Sequence, residues 1–220
     1  MNIPFIDIHT HHPSNSTDIL SVPSLFLQDV DFKNELTTPF TAAVHPWHAA
    51  CFSPQQVSVM LGNLTTQSGL IAIGETGLDA VCTADYQLQK QIFELHLQFA
   101  ENHHLPVIIH GVKAWNDLIA YFKRYKISFV LHGYSAGFEL TKQLIDLGCY
   151  FSIGKSVLQI SPRFRKALQI IPLTSIFLET DDSSVSIKDI YQEVSNVKEV
   201  EFDDFKIQIN RNFRNLFFSD

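Results

Sequence analysis

Leu70-Ile71-Ala72-Ile73-Gly74-Glu75-Thr76-Gly77-Leu78-Asp79 is an apolar run that stops at a glycine and turns acidic. Leu70–Gly74 reads as a short strand without clean polar–apolar alternation, so both its faces should be buried, as in a parallel sheet. Runs of the same kind recur at Phe5–His9, Ile19–Val22, Phe40–Val44, Pro106–His110, Ser128–His132, Cys149–Ile153 and Ser175–Glu179. Helices fit between the later runs. Asp85–His103 carries Leu88, Ile92, Leu95 and Phe99 at helical spacing, and Ala114–Arg124 carries Leu118, Ile119 and Phe122. Gly137–Leu147, Pro162–Ile170 behind its Ser161 cap, Lys188–Val194 and Asp203–Phe217 complete the set. Eight strands with interleaved helices predict an α/β fold, a (β/α)8 TIM barrel. The barrel should be distorted and compact, because His11 to Phe40 leaves little room for two full helices. A doubly wound open sheet is the alternative.

The chain has 220 residues, 45% of them apolar and 18 of them Phe, enough for one sizeable core. No repeat or linker divides it, so residues 1–220 read as one domain. Met1–Asp7 lacks the pattern of a secretory signal, and no run approaches the ~18 apolar residues of a membrane span, so a cytoplasmic protein with no membrane partner is expected. Cys51, Cys82 and Cys149 have no paired metal spacing and read as buried reduced thiols. The formal net charge of −7 argues against coating duplex nucleic acid by charge alone. It leaves room for a nuclease that touches a strand end, because bound dications reverse the sign locally.

The strand ends carry the chemistry. Strand one runs Asp7-Ile8-His9-Thr10-His11, strand four reaches Glu75, strand five ends in His110, strand six in His132, and strand eight runs Glu179-Thr180-Asp181. In a parallel barrel all these ends lie on the C-terminal face, where active sites are built. Alternate residues of extended chain point the same way, so His9 and His11 can bind one ion. Glu75 could bridge two ions, His110 and His132 could hold the second, and Asp181 could bind the first and orient the attacking water. Two dications a few ångströms apart generate hydroxide and stabilise an in-line displacement. Each residue also has a plainer reading. A lone His after a strand is usually a packing residue, Glu75 could be a helix-start acid, and Asp181-Asp182 a solvated turn. What favours a site is that all five strands place such residues at the same end. His45-Pro46-Trp47-His48 could line the same mouth, and Lys113 could reach an anionic substrate. His12 reads as spare, and His96, His103 and His104 as surface or packing residues.

These blocks, with Ala43-Val44-His45-Pro46, Ile73-Gly74-Glu75-Thr76-Gly77-Leu78-Asp79, Leu105-Pro106-Val107-Ile108-Ile109-His110, Leu131-His132-Gly133-Tyr134-Ser135-Ala136-Gly137 and Leu178-Glu179-Thr180-Asp181, resemble the TatD family of metal-dependent deoxyribonucleases and related hydrolases. Asn210 and Leu216-Phe217 fit the family's closing helix. The resemblance implies an amidohydrolase-like barrel with a dinuclear site for two divalent metal ions (Zn, Mn or Mg). In it His9, His11 and Asp181 match one metal's ligands, His110 and His132 the other's, and Glu75 the bridge. It implies that His45 binds the scissile phosphate. The implied reaction is cleavage of DNA phosphodiester bonds, of the 3′–5′ exonuclease type, by a metal-bridging hydroxide. Glu75 and Asp181 then stand as catalytic residues, and His45 and Lys113 as substrate-binding ones. The expected partner is a DNA strand end or a small phosphodiester, and the chain is expected to be a monomer.

Two departures bear on the substrate. Gly111-Val112-Lys113 follows His110 where the family has a small residue and then Arg, and Asp182-Ser183-Ser184 leads almost at once into the next helix where the family has a longer loop. An alternative function is therefore a small-molecule amide or ester hydrolase that uses the same dinuclear site. A binding protein with a relic site is a third reading, against which stands the full set of ligands.

Overall fold

The computed structural model describes residues 3–218; residues 1–2 of the leader reading and the chain's last two residues lie outside them. The strands are β1 (Phe5–Thr10), β2 (Ile19–Phe26), β3 (Phe40–Ala43), β4 (Leu70–Asp79), β5 (Val107–Val112), β6 (Phe129–Leu131), β7 (Tyr150–Ile153) and β8 (Ile176–Leu178). They follow one another in chain order in one eight-stranded sheet. β1 pairs parallel with β2, β2 with β3, β3 with β4, β4 with β5, and β7 with β8. A parallel bridge between Thr10 and Asp181 then joins the exit of β8 back to β1. A sequential order that closes on itself is a (β/α)8 barrel, and it excludes the open doubly wound sheet, whose order reverses at a switch point. Register shifts within the β1–β2, β3–β4 and β4–β5 pairings distort the barrel.

The helices are α1 (Pro54–Leu64), α2 (Tyr86–Asn102), α3 (Trp115–Arg124), α4 (Phe138–Asp146), α5 (Pro162–Ile170), α6 (Ile187–Lys198) and α7 (Phe202–Phe217). α1 is absent from the sequence-based expectation. It starts at a full capping box, with Ser53 and Gln56 bonded reciprocally and Pro54 in the first turn. Only Val57, Leu61 and Leu64 of it are buried, so its apolar stripe is thin. β4 runs five residues past the expected end at Gly74, through Glu75 to Asp79. Gly77 makes this extension feasible. Its φ is +152°, and a Cβ there would collide with the His110 carbonyl on β5.

The chain divides into two compact units, one of residues up to Pro23 and from Leu131 onward, the other Ser24–Val130. In the first, Tyr191 of α6 accepts the Ile6 N–H at 2.9 Å and donates to the Ile6 carbonyl at 3.2 Å, which pins β1. Asn210 of α7 donates to the Pro4 carbonyl at 2.9 Å. In the second, Gln89 of α2 accepts the Asp79 N–H at 2.8 Å and donates to the Asp79 carbonyl at 3.1 Å, which pins the end of β4. These bonds satisfy buried backbone groups at the ends of the strands that carry the chemistry. Of the cysteines only Cys149 is buried. Cys51 is exposed and Cys82 half-buried, which corrects the expectation of three buried thiols; Cys51 sits in the short 3-10 turn Pro46–Cys51 at the surface.

Candidate metal centre

In the first unit the backbone sets the site. Asp181 donates its N–H to the His9 carbonyl at 2.9 Å, and His11 donates its N–H to the Asp181 carbonyl at 3.0 Å. Asp181 takes a left-handed φ of 57°, a conformation that Asp tolerates better than most residues. His9 and His11 flank Thr10 and turn to the same carboxylate, with Nε2 atoms 3.7 and 3.8 Å from Asp181 Oδ1. His132 Nε2 lies 4.0 Å from Asp181 Oδ2, and its ring centroid is 4.3 Å from that of His9. His9, His132 and Asp181 each offer a ligand atom within 4.8 Å of the others. Two nitrogen or oxygen ligands on one tetrahedral zinc stand about 3.4 Å apart, so this donor set fits an ion with small adjustment.

Glu179 lies in the Glu-Thr-Asp block but is not among the site residues expected from the sequence. It is 0% exposed. Its Oε1 lies 2.8 Å from His132 Nδ1 and accepts the Gly133 N–H at 2.7 Å. A carboxylate beside Nδ1, with Nε2 toward Asp181, stands where the outer acceptors of metal-binding histidines stand. Asp7 was missed in the same way. Its carboxylate accepts the Thr180 N–H at 3.0 Å and the Thr180 hydroxyl at 2.7 Å, so β1 holds the segment that delivers Asp181. Burial pushes the Asp7 carboxyl up to about 6, against the pull of the two Thr180 hydrogen bonds.

In the second unit Glu75, at the cis Gly74–Glu75 bond, is buried. Its Oε1 lies 2.6 Å from His110 Nδ1 and 3.3 Å from His45 Nε2. His45, Glu75 and His110 form a second group of ligand types within 4.8 Å. His45 caps the turn that follows it: its Nδ1 accepts the Trp47 N–H at 3.2 Å. Burial holds the His45 pKa below the usual histidine value, against the pull of Glu75, with His110 and His48 adding to the lowering. A neutral imidazole whose Nδ1 accepts must carry its proton on Nε2. His45 therefore presents a donor, not a lone pair, to Glu75. Behind it, buried His96 accepts the Val44 N–H on Nε2 at 3.0 Å and donates from Nδ1 to the Ile92 carbonyl at 2.7 Å, a packing role as the sequence reading expects. Asp79, a third residue missed, has Oδ2 at 3.3 Å from His110 Nε2 and 2.8 Å from the Trp47 indole nitrogen. Burial would raise its pKa, but the hydrogen bonds from Trp47, the Val81 backbone and His110 hold it below the usual carboxylate value.

The structure brings His132 beside His9, His11 and Asp181, and His45 beside Glu75 and His110. Lys113 is exposed just after β5, with a left-handed φ of 51°. His12, His103 and His104 are exposed and apart from both groups of ligands.

A (β/α)8 barrel that gathers His and carboxylate side chains at its strand ends is a scaffold suited to metal-dependent hydrolysis. Residues 28–218 match the model of the TatD-related DNase family, and the chain belongs to that family. It is 28% identical over 199 residues to the metal-dependent hydrolase YcfH of Escherichia coli K12, covering 82% of this chain and 74% of YcfH. It is 30% identical over 156 residues to deoxyribonuclease Tat-D of Schizosaccharomyces pombe, covering 64% of this chain and 50% of that protein. The crystal structure of the TatD homologue YjjV of E. coli K12 shares the fold, with a TM-score of 0.80 and 20% identity over the whole of both chains. A hydrolase TatD family protein of Entamoeba histolytica shares it at a TM-score of 0.77 and 17% identity, covering 99% of each chain. Among the described residues no helix is long and apolar enough to cross a membrane.

Proposed function

We propose that the chain hydrolyses DNA phosphodiester bonds at a strand end, in the 3′–5′ direction, as a single catalytic domain and a monomer in the cytoplasm. Divalent cations would be held by His9, His11, His132 and Asp181 in the first unit and by Glu75 and His110 in the second. The histidine donors favour zinc or manganese over magnesium. The observation that carries the reading is the Trp47 N–H donated to His45 Nδ1 at 3.2 Å, which leaves Nε2 to carry the proton of a neutral ring. A buried N–H donor beside the ligand carboxylate suits a developing oxyanion such as a phosphate oxygen.

When bound, two such cations lower the pKa of a water molecule and screen the charge of a phosphodiester. Asp181, half-buried at the exit of β8, orients the attacking water and takes its proton. Glu75 and His110 hold one another at 2.6 Å, a bond they would give up on taking a cation. His45 donates from Nε2 to a non-bridging oxygen, and Lys113 adds a point charge without the bidentate fork of an Arg. Glu75→Ala and His110→Ala are each expected to abolish hydrolysis of an oligonucleotide while circular dichroism stays native. Full activity in either variant would remove the mechanism.

The net charge of −7, and Lys113 in place of an Arg, favour a second reading, a small-molecule amide or ester hydrolase using the same residues. Turnover of a cyclic amide or lactone, with none of DNA, would decide for it.

A further inference from the structure

One lip of the second unit's ligand group has no part in the chemistry above. Trp47 is 59% exposed and Val81 57% exposed, two of six large apolar side chains left in water among the described residues. Both are tied to one buried carboxylate. Asp79 Oδ2 accepts the Trp47 indole N–H at 2.8 Å, and Asp79 Oδ1 accepts the Val81 backbone N–H at 2.9 Å. The Trp47 ring stands edge-on to His45, centroids 4.6 Å apart, and its centroid is 5.9 Å from that of His110. Its backbone N–H is the one that sets the His45 tautomer. The ring is thus held at both its backbone and its indole nitrogen, beside the donor assigned to phosphate.

Leaving a large aromatic in water forgoes burial, and fixing its orientation as well forgoes side-chain entropy. A flat ligand recovers both. A ring fixed in advance loses little further freedom when another ring stacks on it. Every nucleobase offers such a face.

We propose that Trp47 is the stacking platform for the nucleobase next to the scissile phosphate, with Val81 as the apolar edge of the same lip. This rests on the reading of the site as a phosphodiesterase. The contact prefers base-bearing strand ends over base-free ones and does not read base identity.

The test compares two single-stranded oligonucleotides that differ only in whether the terminal residue carries a base. With the metal-loaded protein, kcat/KM is expected to favour the base-bearing end by roughly 5- to 150-fold, the range that one base–aromatic stack spans. Trp47→Leu should collapse that ratio toward one. Trp47→Phe, which keeps a ring and loses the indole N–H, should retain most of it. Equal losses on both strands in Trp47→Leu would overturn the proposal. So would a ratio in Trp47→Phe as low as in Trp47→Leu, because the indole would then act only by steadying Asp79 and His110. A second readout needs no turnover. The chain has two Trp, and quenching of its fluorescence by the base-bearing strand should vanish in Trp47→Phe. Failure of the wild type to cleave either strand counts against the phosphodiesterase reading. A quench that survives in Trp47→Phe counts against Trp47 alone.

Discussion

The two units hold their ligands differently. Around Asp181 the donor atoms of His9, His11 and His132 stand 3.7 to 4.0 Å away, too far to hydrogen-bond and close to the spacing of atoms that share an ion. Backbone bonds and outer carboxylates keep them there: the Thr10–Asp181 bridge, Asp7 on Thr180, and Glu179 on His132. Around Glu75 the ligands bond to each other instead. His110 Nδ1 is 2.6 Å and His45 Nε2 3.3 Å from the same oxygen, and Asp79 faces the other nitrogen of His110. The first group is a cage whose donor atoms already stand near ligand spacing. The second must exchange internal hydrogen bonds for a metal bond. The group around Asp181 is therefore expected to take up its ion first.

The strongest test breaks the cage at its centre. Asp181→Asn keeps a side chain that tolerates the left-handed backbone and removes the charge. It should lower hydrolysis by about 10²- to 10⁴-fold. In a competition titration with a zinc-binding dye it should delete the earlier of two uptake steps, whereas His110→Ala should delete the later one. Loss of the same step in both variants would erase the distinction between the units.

Next in size is a pH effect confined to the second unit. Burial drives the His96 pKa down from 6.5 to about 4, against the bond to Ile92. A depressed pKa means that the unfolded chain binds the extra proton. The contribution is therefore complete above 6.5 and fades as pH falls toward 4. Its upper size is about 3 kcal/mol. Asp7, raised to about 6, takes up a proton in the folded chain over the same range and acts with the opposite sign in both proteins, so the difference in urea midpoint between wild type and His96→Gln should shift against the wild type as pH falls across that window. Parallel slopes would show that His96 does not hold the β3 exit in the way its two hydrogen bonds indicate.

The smallest effect sharpens the account of the first unit. Glu179→Gln keeps the shape and removes the charge beside His132 Nδ1. Metal affinity should fall by roughly 10- to 100-fold with little change in melting temperature. The imidazole nitrogen shifts of His132 should move from a pure Nδ1–H form toward a mixture of tautomers. An unchanged nitrogen spectrum would refute the role of Glu179.

Much of this was legible in the chain. Short apolar runs without alternation gave eight parallel strands, and each strand boundary fell within a few residues of expectation except two. β4 runs on to Asp79 because Gly77 lets it press against β5, a contact no local pattern reveals. β2 reaches Phe26, four residues beyond Val22. The helix Pro54–Leu64 had its start signal in Ser53-Pro54-Gln55-Gln56, but three buried apolar positions among polar ones made its period faint.

The sequence by itself determined which residue types stand at which strand ends, because strand period and residue chemistry are local properties. Hence His9, His11, Glu75, His110, His132 and Asp181 could be named from it. Only the tertiary structure decided which of them face each other and which groups each imidazole nitrogen meets. Glu179 meets His132 across 47 positions, Asp7 meets Thr180 across 173, and Asp79 meets Trp47 across 32. A carboxylate becomes an orienting group only through such a contact, and its own neighbours in the chain give no sign of it.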